Sequence, residues 1–233
     1  MHICKKKCIF ARFFEKNKLM TIYVFDLGGV LINLNVTRCM HAFEELMGEQ
    51  NMRTILGMDS RGEGVKAVSV ASKQLMVDFE QGLISTDTFV QEVLAYCRPG
   101  TTPQQVIDAW MAMLEDLPTE RLAFIDDLRS RGYKTYLLSN GNDLHFEFID
   151  RTYNLSPRFD ALFLSQKMHM AKPDPEIYRA VHQAIHPAPD DEVIFIDDLE
   201  LNRLSAEKTV PWRTYSSIAS LSPFLFRHFH ITS

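Results

Sequence analysis

Short apolar runs rich in β-branched and aromatic residues punctuate the chain, and longer stretches with helical periodicity fill the intervals between them. The first run, Thr21 to Asp26, reads TIYVFD and ends on an acid just ahead of Gly28 and Gly29. A run of this kind closed by glycines is a buried strand entering a tight loop. Similar runs come much later: YKTYLLS ending at Ser139, ALFLS ending at Ser165 and EVIFID ending at Asp197. Helical patterns separate them, so a doubly wound parallel sheet of the α/β class, joined by right-handed crossover helices, is the economical arrangement.

Side chains also mark where helices start. Thr102, Pro103 and Gln105 supply an N-cap, a first-turn proline and a capping-box partner ahead of VIDAWMAMLEDL, and Asp174, Pro175 and Glu176 repeat the device ahead of IYRAVHQAI. Between the first run and YKTYLLS the chain shows no convincing strand; its periodicity predicts helices near 36–48, 64–80, 86–96 and 103–116, then one from about Thr119 to Arg131 leading back into the sheet. Structureless loops of such length are rare, so this excursion predicts a small helical cap inserted after the first strand and seated over the strand ends. The expected division is an extension over 1–19, a core over 20–35 and 118–233, and a cap over 36–117.

Composition narrows the partners. The chain has 233 residues, 46% hydrophobic and 24% charged, which is enough to bury a substantial core. Its net charge of -5, with no basic stripe beyond the first twenty residues, lacks the footprint of a nucleic-acid binder and leaves a small molecule as the expected partner. Cys4, Cys8, Cys39 and Cys97 form no C-x-x-C pair and no zinc-spaced cluster, which fits a reducing cytoplasm. The opening MHICKKKCIFARFFEKNKLM is basic and aromatic, is broken by Arg12 and has no small-residue cleavage site. It reads as an upstream start, with the working protein beginning near Met20; a membrane-surface anchor is the alternative. No apolar run approaches the ~20 residues of a bilayer-spanning helix, so no membrane partner is expected.

In open α/β sheets, ligands sit beyond the carboxyl ends of the strands, near the point where strand order reverses. Those ends carry Asp26, Ser139 and the pair Asp197-Asp198. Brought together, they form an oxygen-rich acidic pocket suited to a hard cation such as Mg2+. Lys172, just before the Asp174 helix start, adds a cation where free N–H groups also favour anions. Taken singly, each of these residues has an ordinary structural reading as a helix cap, a turn residue or a solvated strand exit.

The segments FDLGGVLIN, LLSN, KPDPEIY and FIDDLELN, in that order between Thr21 and Tyr215, resemble the four motifs of the haloacid dehalogenase-like superfamily. The details FDLGG, LLSN followed by His145, and LSQ before KPDPEIY look most like the subgroup containing bacterial α-glucose-1-phosphate phosphatases and the phosphatase domain of soluble epoxide hydrolase. The resemblance implies a Rossmann-like core with a small helical cap inserted after the first motif, and a Mg2+-dependent hydrolase of a small phosphomonoester with Asp26 as the nucleophile that forms an aspartyl-phosphate. It implies Asp26, the Gly28 carbonyl and Asp198 as metal ligands, and Ser139, Asn140 and Lys172 as phosphate contacts. Asp197 would orient Lys172 or a water on the metal, and Asn202, where relatives often carry an acid, would act at one remove from the ion. His145 is read as a helix-surface residue or a cap contact.

The informative departure is Gly28, where the usual motif has a second aspartate that protonates the leaving group. General acid catalysis is worth ~10²–10⁴ in rate, so its loss favours leaving groups that need little proton assistance, such as anomeric sugar or aryl phosphates. Two other readings stay open: a metal-independent 2-haloacid dehalogenase, against which Asp197-Asp198 argues, and a phosphate-binding or scaffold protein without turnover.

Overall fold

The computed structural model describes residues 20–56 and 70–221; the expected extension, with Cys4 and Cys8, lies outside them. The strands are β1 (Thr21–Phe25), β2 (Lys134–Ser139), β3 (Ala161–Leu164), β4 (Glu192–Ile196) and β5 (Trp212–Tyr215). The helices before β2 are α1 (Val36–Met47), α2 (Glu49–Leu56), α3 (Val70–Glu80), α4 (Thr86–Leu94), α5 (Pro103–Met111) and α6 (Thr119–Ser130). Those after it are α7 (Asp143–Tyr153), the single turn α8 (Ser165–Met168), α9 (Pro175–Ile185) and α10 (Glu200–Thr209). No helix among the described residues is long and apolar enough to cross a membrane.

All five strands run parallel in the order β3-β2-β1-β4-β5. The chain builds outward from β1 through β2 and β3, then returns to the other side of β1 for β4 and β5. Strand order therefore reverses between β1 and β4, and a crevice opens there. Phe25 stands level with Leu137 of β2 and Ile196 of β4, so the three strands deliver their next residues to one end of the sheet.

Residue alternation assigns the faces of β1. Tyr23 and Phe25 pack with Ile125 and Leu128 of α6 and Ile149 of α7. Ile22 and Val24 pack on the other side with Ile177, Tyr178 and Val181 of α9. A strand covered on both faces needs apolar residues throughout, which is why TIYVF shows no polar alternation.

Helices α1 to α5 hold a separate apolar cluster, centred on Phe43, Phe79, Phe89 and Trp110. Phe79 and Phe89 stack at 4.1 Å between ring centroids. This is the helical cap inserted after the first strand. The Thr102 capping box forms in full, and Asn35 caps α1 through the Arg38 N–H at 2.9 Å.

The helix expected over 103–116 ends at Met111. Beyond it the incoming linker pairs with the outgoing one: Glu115 N–H donates to Asn33 O at 3.0 Å, Asn33 N–H to Asp116 O at 2.9 Å and Asn35 N–H to Met113 O at 2.8 Å. Backbone pairing across the two crossings outcompetes continuation of the helix. Residues 64–69 of the helix expected over 64–80 lie outside the described residues.

Candidate active site

Asp26 stands one residue past β1, where its N–H donates to Ile196 O at 2.8 Å. That bond continues the ladder beyond the last paired residues and fixes where the carboxylate leaves the sheet. Its Oδ1 accepts from Leu27 N–H at 2.7 Å and from Lys172 Nζ at 2.9 Å. Asp197 and Asp198 follow β4 in the same way, with Asp197 N–H donating to Tyr215 O at 3.0 Å. One carboxylate oxygen from each of Asp26, Asp197 and Asp198 lies within 4.8 Å of the others.

The three acids are not equivalent. Asp197 is completely buried and its oxygens are taken: Lys172 Nζ donates to Oδ2 at 2.6 Å, Leu199 N–H to Oδ1 at 3.0 Å, and Asn202 Nδ2 to both at 3.0 and 3.1 Å. Asp198 is exposed and faces the same crevice as Asp26, Gly28 and Gly29. The open oxygens therefore belong to Asp26 and Asp198, while Asp197 holds the lysine in place. Asn202 is buried with its amide directed at Asp197, so it steadies that carboxylate.

Lys172 is buried with its ammonium between Asp26, Asp197 and the carbonyl of Leu138, the last at 3.0 Å. Burial works against its charge, but the two carboxylates prevail and raise its pKa. Burial pushes Asp26 above the usual carboxylate range, with Lys172 opposing the shift and Asp197 adding to it. Lys172 is also locked through its backbone, since Asn140 Nδ2 donates to its carbonyl and its N–H donates to Asn140 Oδ1, each at 2.8 Å. The loops after β2 and before α9 are thereby fastened together. Ser139 is buried at the end of β2 and shares a cavity wall with Asn140.

At Gly29 the backbone is left-handed, with φ of 72°, and an added Cβ would lie 2.6 Å from Asp198 Cγ. Glycine there lets the loop after β1 come up against the acid that follows β4. An added Cβ at Gly28 would lie 2.8 Å from Leu34 Cδ1. Only the flexible end of a linker leucine stands where a second acid would begin.

The sequence of residues 20–206 matches the haloacid dehalogenase-like hydrolase family. The chain belongs to that family. Among curated proteins it is 27% identical to a D-ribitol-5-phosphate phosphatase from Bacteroides thetaiotaomicron, over 75% of this chain and 81% of that one. A crystal structure of a family enzyme from the same organism superposes with a TM-score of 0.69 at 31% identity, covering 85% of this chain and 94% of that chain. That enzyme has also been crystallised with magnesium and inorganic phosphate, and in this form gives a TM-score of 0.68 at 31% identity. A family hydrolase from Porphyromonas gingivalis gives 0.71 at 28% identity, covering 90% of this chain and 98% of that one.

Several residues that shape the site carry no motif. Trp110 and His145 stack across the cap–core boundary at 5.3 Å with an 8° interplanar angle, and His145 Nε2 lies 3.1 Å from Trp110 O. The burial that comes with this contact lowers the His145 pKa to about 4. Ser165 Oγ donates to Glu80 O at 2.5 Å and accepts from Gly141 N–H at 3.0 Å, joining the end of α3 to the loop after β2.

Proposed function

We propose that the chain is a Mg2+-dependent phosphatase that hydrolyses a small phosphomonoester, a sugar phosphate or a close relative, through an aspartyl-phosphate on Asp26. The observation that carries this reading is the division of labour among three acids whose oxygens lie within 4.8 Å: Asp26 and Asp198 remain open, and Asp197 is committed to Lys172. The names of the ribitol-phosphate relative and of the magnesium–phosphate complex support it.

Hard oxygen donors fit Mg2+, with Asp26, the Gly28 carbonyl and Asp198 as its protein ligands. When bound, the ion supplies positive charge that offsets repulsion between a carboxylate and a phosphate dianion. The remaining chemistry belongs to the chain. Leu27 N–H and Lys172 hold Asp26 Oδ1 and so fix the direction in which the carboxylate faces the phosphorus. Lys172 contacts a phosphate oxygen as well as Asp26, and Ser139 Oγ and the Asn140 N–H receive the others. Asp197 and Asn202 keep the ammonium from swinging away.

A dehalogenase needs no cation beside its nucleophile, and an open Asp198 near Asp26 would then be an uncompensated repulsion. The deciding experiment is a phosphoester panel on wild type and Asp26→Asn, with and without Mg2+. Hydrolysis that disappears in the variant and in chelator is expected. Equal rates in all arms, Mg2+-dependent binding of a phosphate mimic without turnover, or halide release from a 2-haloacid in chelator would each overturn the reading.

A further inference from the structure

Arg203 lies in the first turn of α10, the helix that follows the acid pair. Its Nη1 donates to the carbonyl of Asp197 at 2.6 Å and to that of Asp198 at 2.7 Å. Its side chain makes no other hydrogen bond and no ion pair among the described residues. It does not line the crevice that holds Asp26 and Asp198, so it acts from behind the site. A positive side chain in the first turn is on the unfavourable side of the helix dipole, so stabilising α10 does not account for it.

The two carbonyls belong to consecutive peptide units, 197–198 and 198–199, both trans. A trans unit is planar and points its N–H away from its C=O, so a bond that fixes the oxygen also aims the hydrogen. The hydrogens of these units are the N–H groups of Asp198 and Leu199. Leu199 N–H donates to Asp197 Oδ1 at 3.0 Å. Both N–H groups also steady the Asp198 carboxylate, opposing the rise in its pKa that burial and Asp197 bring about. Arg203 thus stands behind two peptide units whose front ends face the two acids. Hydrogen bonds in such a chain polarise one another, so the guanidinium strengthens the bonds in front as well as aiming them. Asp197 has Lys172 and Asn202 to hold it besides. Asp198 accepts no side-chain hydrogen bond among the described residues, so the aim of its carboxylate comes from its backbone.

We propose that Arg203 is a positioning residue for the cation site: by pinning the peptide units on either side of Asp198, it holds the two acids in the arrangement that takes up Mg2+. The inference rests on the Mg2+ reading given above and adds to it a residue that touches neither ion nor substrate.

The test measures Mg2+ binding to the full chain by calorimetry, and by the rise in unfolding midpoint at a fixed Mg2+ concentration, in wild type, Arg203→Met, Arg203→Gln and Arg203→Lys. Arg129→Met is the control for losing an arginine, since Arg129 bonds Thr135 Oγ1 and Asp160 Oδ2, both at 3.1 Å, at the opposite end of the sheet. Partners that orient a metal ligand are worth ~10–100-fold in affinity, so Arg203→Met should raise the Mg2+ dissociation constant by that factor. Arg203→Gln keeps a donor without the charge and should lose at least about fivefold. Arg203→Lys should bind more tightly than either, because one nitrogen serves both carbonyls and an ammonium can do the same. With p-nitrophenyl phosphate as substrate, the Mg2+ concentration at half-maximal rate should rise in step, while KM at saturating Mg2+ stays within about twofold. Arg129→Met should lower the midpoint in chelator and leave Mg2+ affinity at the wild-type value. A loss under about fivefold in Arg203→Met, or in Arg203→Gln where the methionine variant does not fold, overturns the inference. So does Arg203→Lys binding no better than Arg203→Met, or an equal loss in Arg129→Met. The expected shifts in Mg2+ binding without hydrolysis of any ester sink the phosphatase reading and leave this inference standing.

Discussion

Replacing Gly29 by alanine separates backbone strain from damage to the cation site. The residue is left-handed at φ 72°, and an L-residue pays about 1–2 kcal/mol there. Gly132 is also left-handed, at φ 84°, but an added Cβ at that position meets nothing within 4 Å. Gly132→Ala is therefore the control that carries strain alone. In a chain of this size each kcal/mol lowers the unfolding midpoint by about 2–4 °C, so both variants should lose roughly 2–8 °C in chelator. Only Gly29→Ala forces Asp198 aside, because its methyl would lie 2.6 Å from Asp198 Cγ. Displacing a ligand's support typically lowers metal affinity ~10–100-fold. The assay is the Mg2+ concentration at half-maximal hydrolysis, together with the midpoint gained on adding Mg2+. Gly29→Ala should shift the first upward by that factor and lose most of the second at a fixed concentration, while Gly132→Ala matches wild type in both. Identical Mg2+ responses in the two variants would refute the assignment of Asp198 to the ion.

Other outcomes follow from the same geometry. Lys172→Met should reduce kcat by ~10²–10³ and destabilise the fold by about 3–5 kcal/mol in chelator, because it leaves Asp26 and Asp197 buried without their cation; kinetics and denaturant unfolding read the two effects. Burial raises Glu80 from 4.5 to about 7, so the folded state is favoured while that group is protonated and loses this contribution as pH rises through about 7. The midpoint of Glu80→Gln relative to wild type should therefore climb between pH 4.5 and 7 and level off above, by at most about 3 kcal/mol. With Gly28 in place of an acid, kcat should fall as leaving-group pKa rises, so an aldose 1-phosphate turns over faster than an alditol phosphate of equal length. Rates independent of leaving-group pKa would show that another proton donor serves the reaction.

The sheet's interior was legible because its central strands are covered on both faces, and continuous apolar runs such as TIYVF and EVIFI have few other uses. β5 escaped notice because WRTY is a four-residue edge strand, half polar and preceded by Pro211. α2 escaped because it is a short helix whose apolar positions, Met52, Ile55 and Leu56, fall out of step with those of α1 across Gly48. In the site, motif order pointed to Asp26, Ser139 and Asp198, at or just past strand ends, and to Lys172, just before α9. The division between Asp197 and Asp198 was less visible, because it depends on which carboxylate the Asn202 amide and the Leu199 N–H reach. Glu80, Trp110 and Gln166 could not be read at all. What sets Trp110 and Gln166 apart is side-chain polar atoms without partners among the described residues, and that has no sequence pattern.

The paired linkers around Asn33 and Glu115 fasten one side of the cap to the core through backbone bonds. On the far side the fastening is different: the Ser165 hydroxyl on Glu80 O and His169 Nδ1, 2.8 Å from Gln81 O, act as catches. The cap is thus held to the sheet at two separate places, at one through backbone bonds and at the other through side chains.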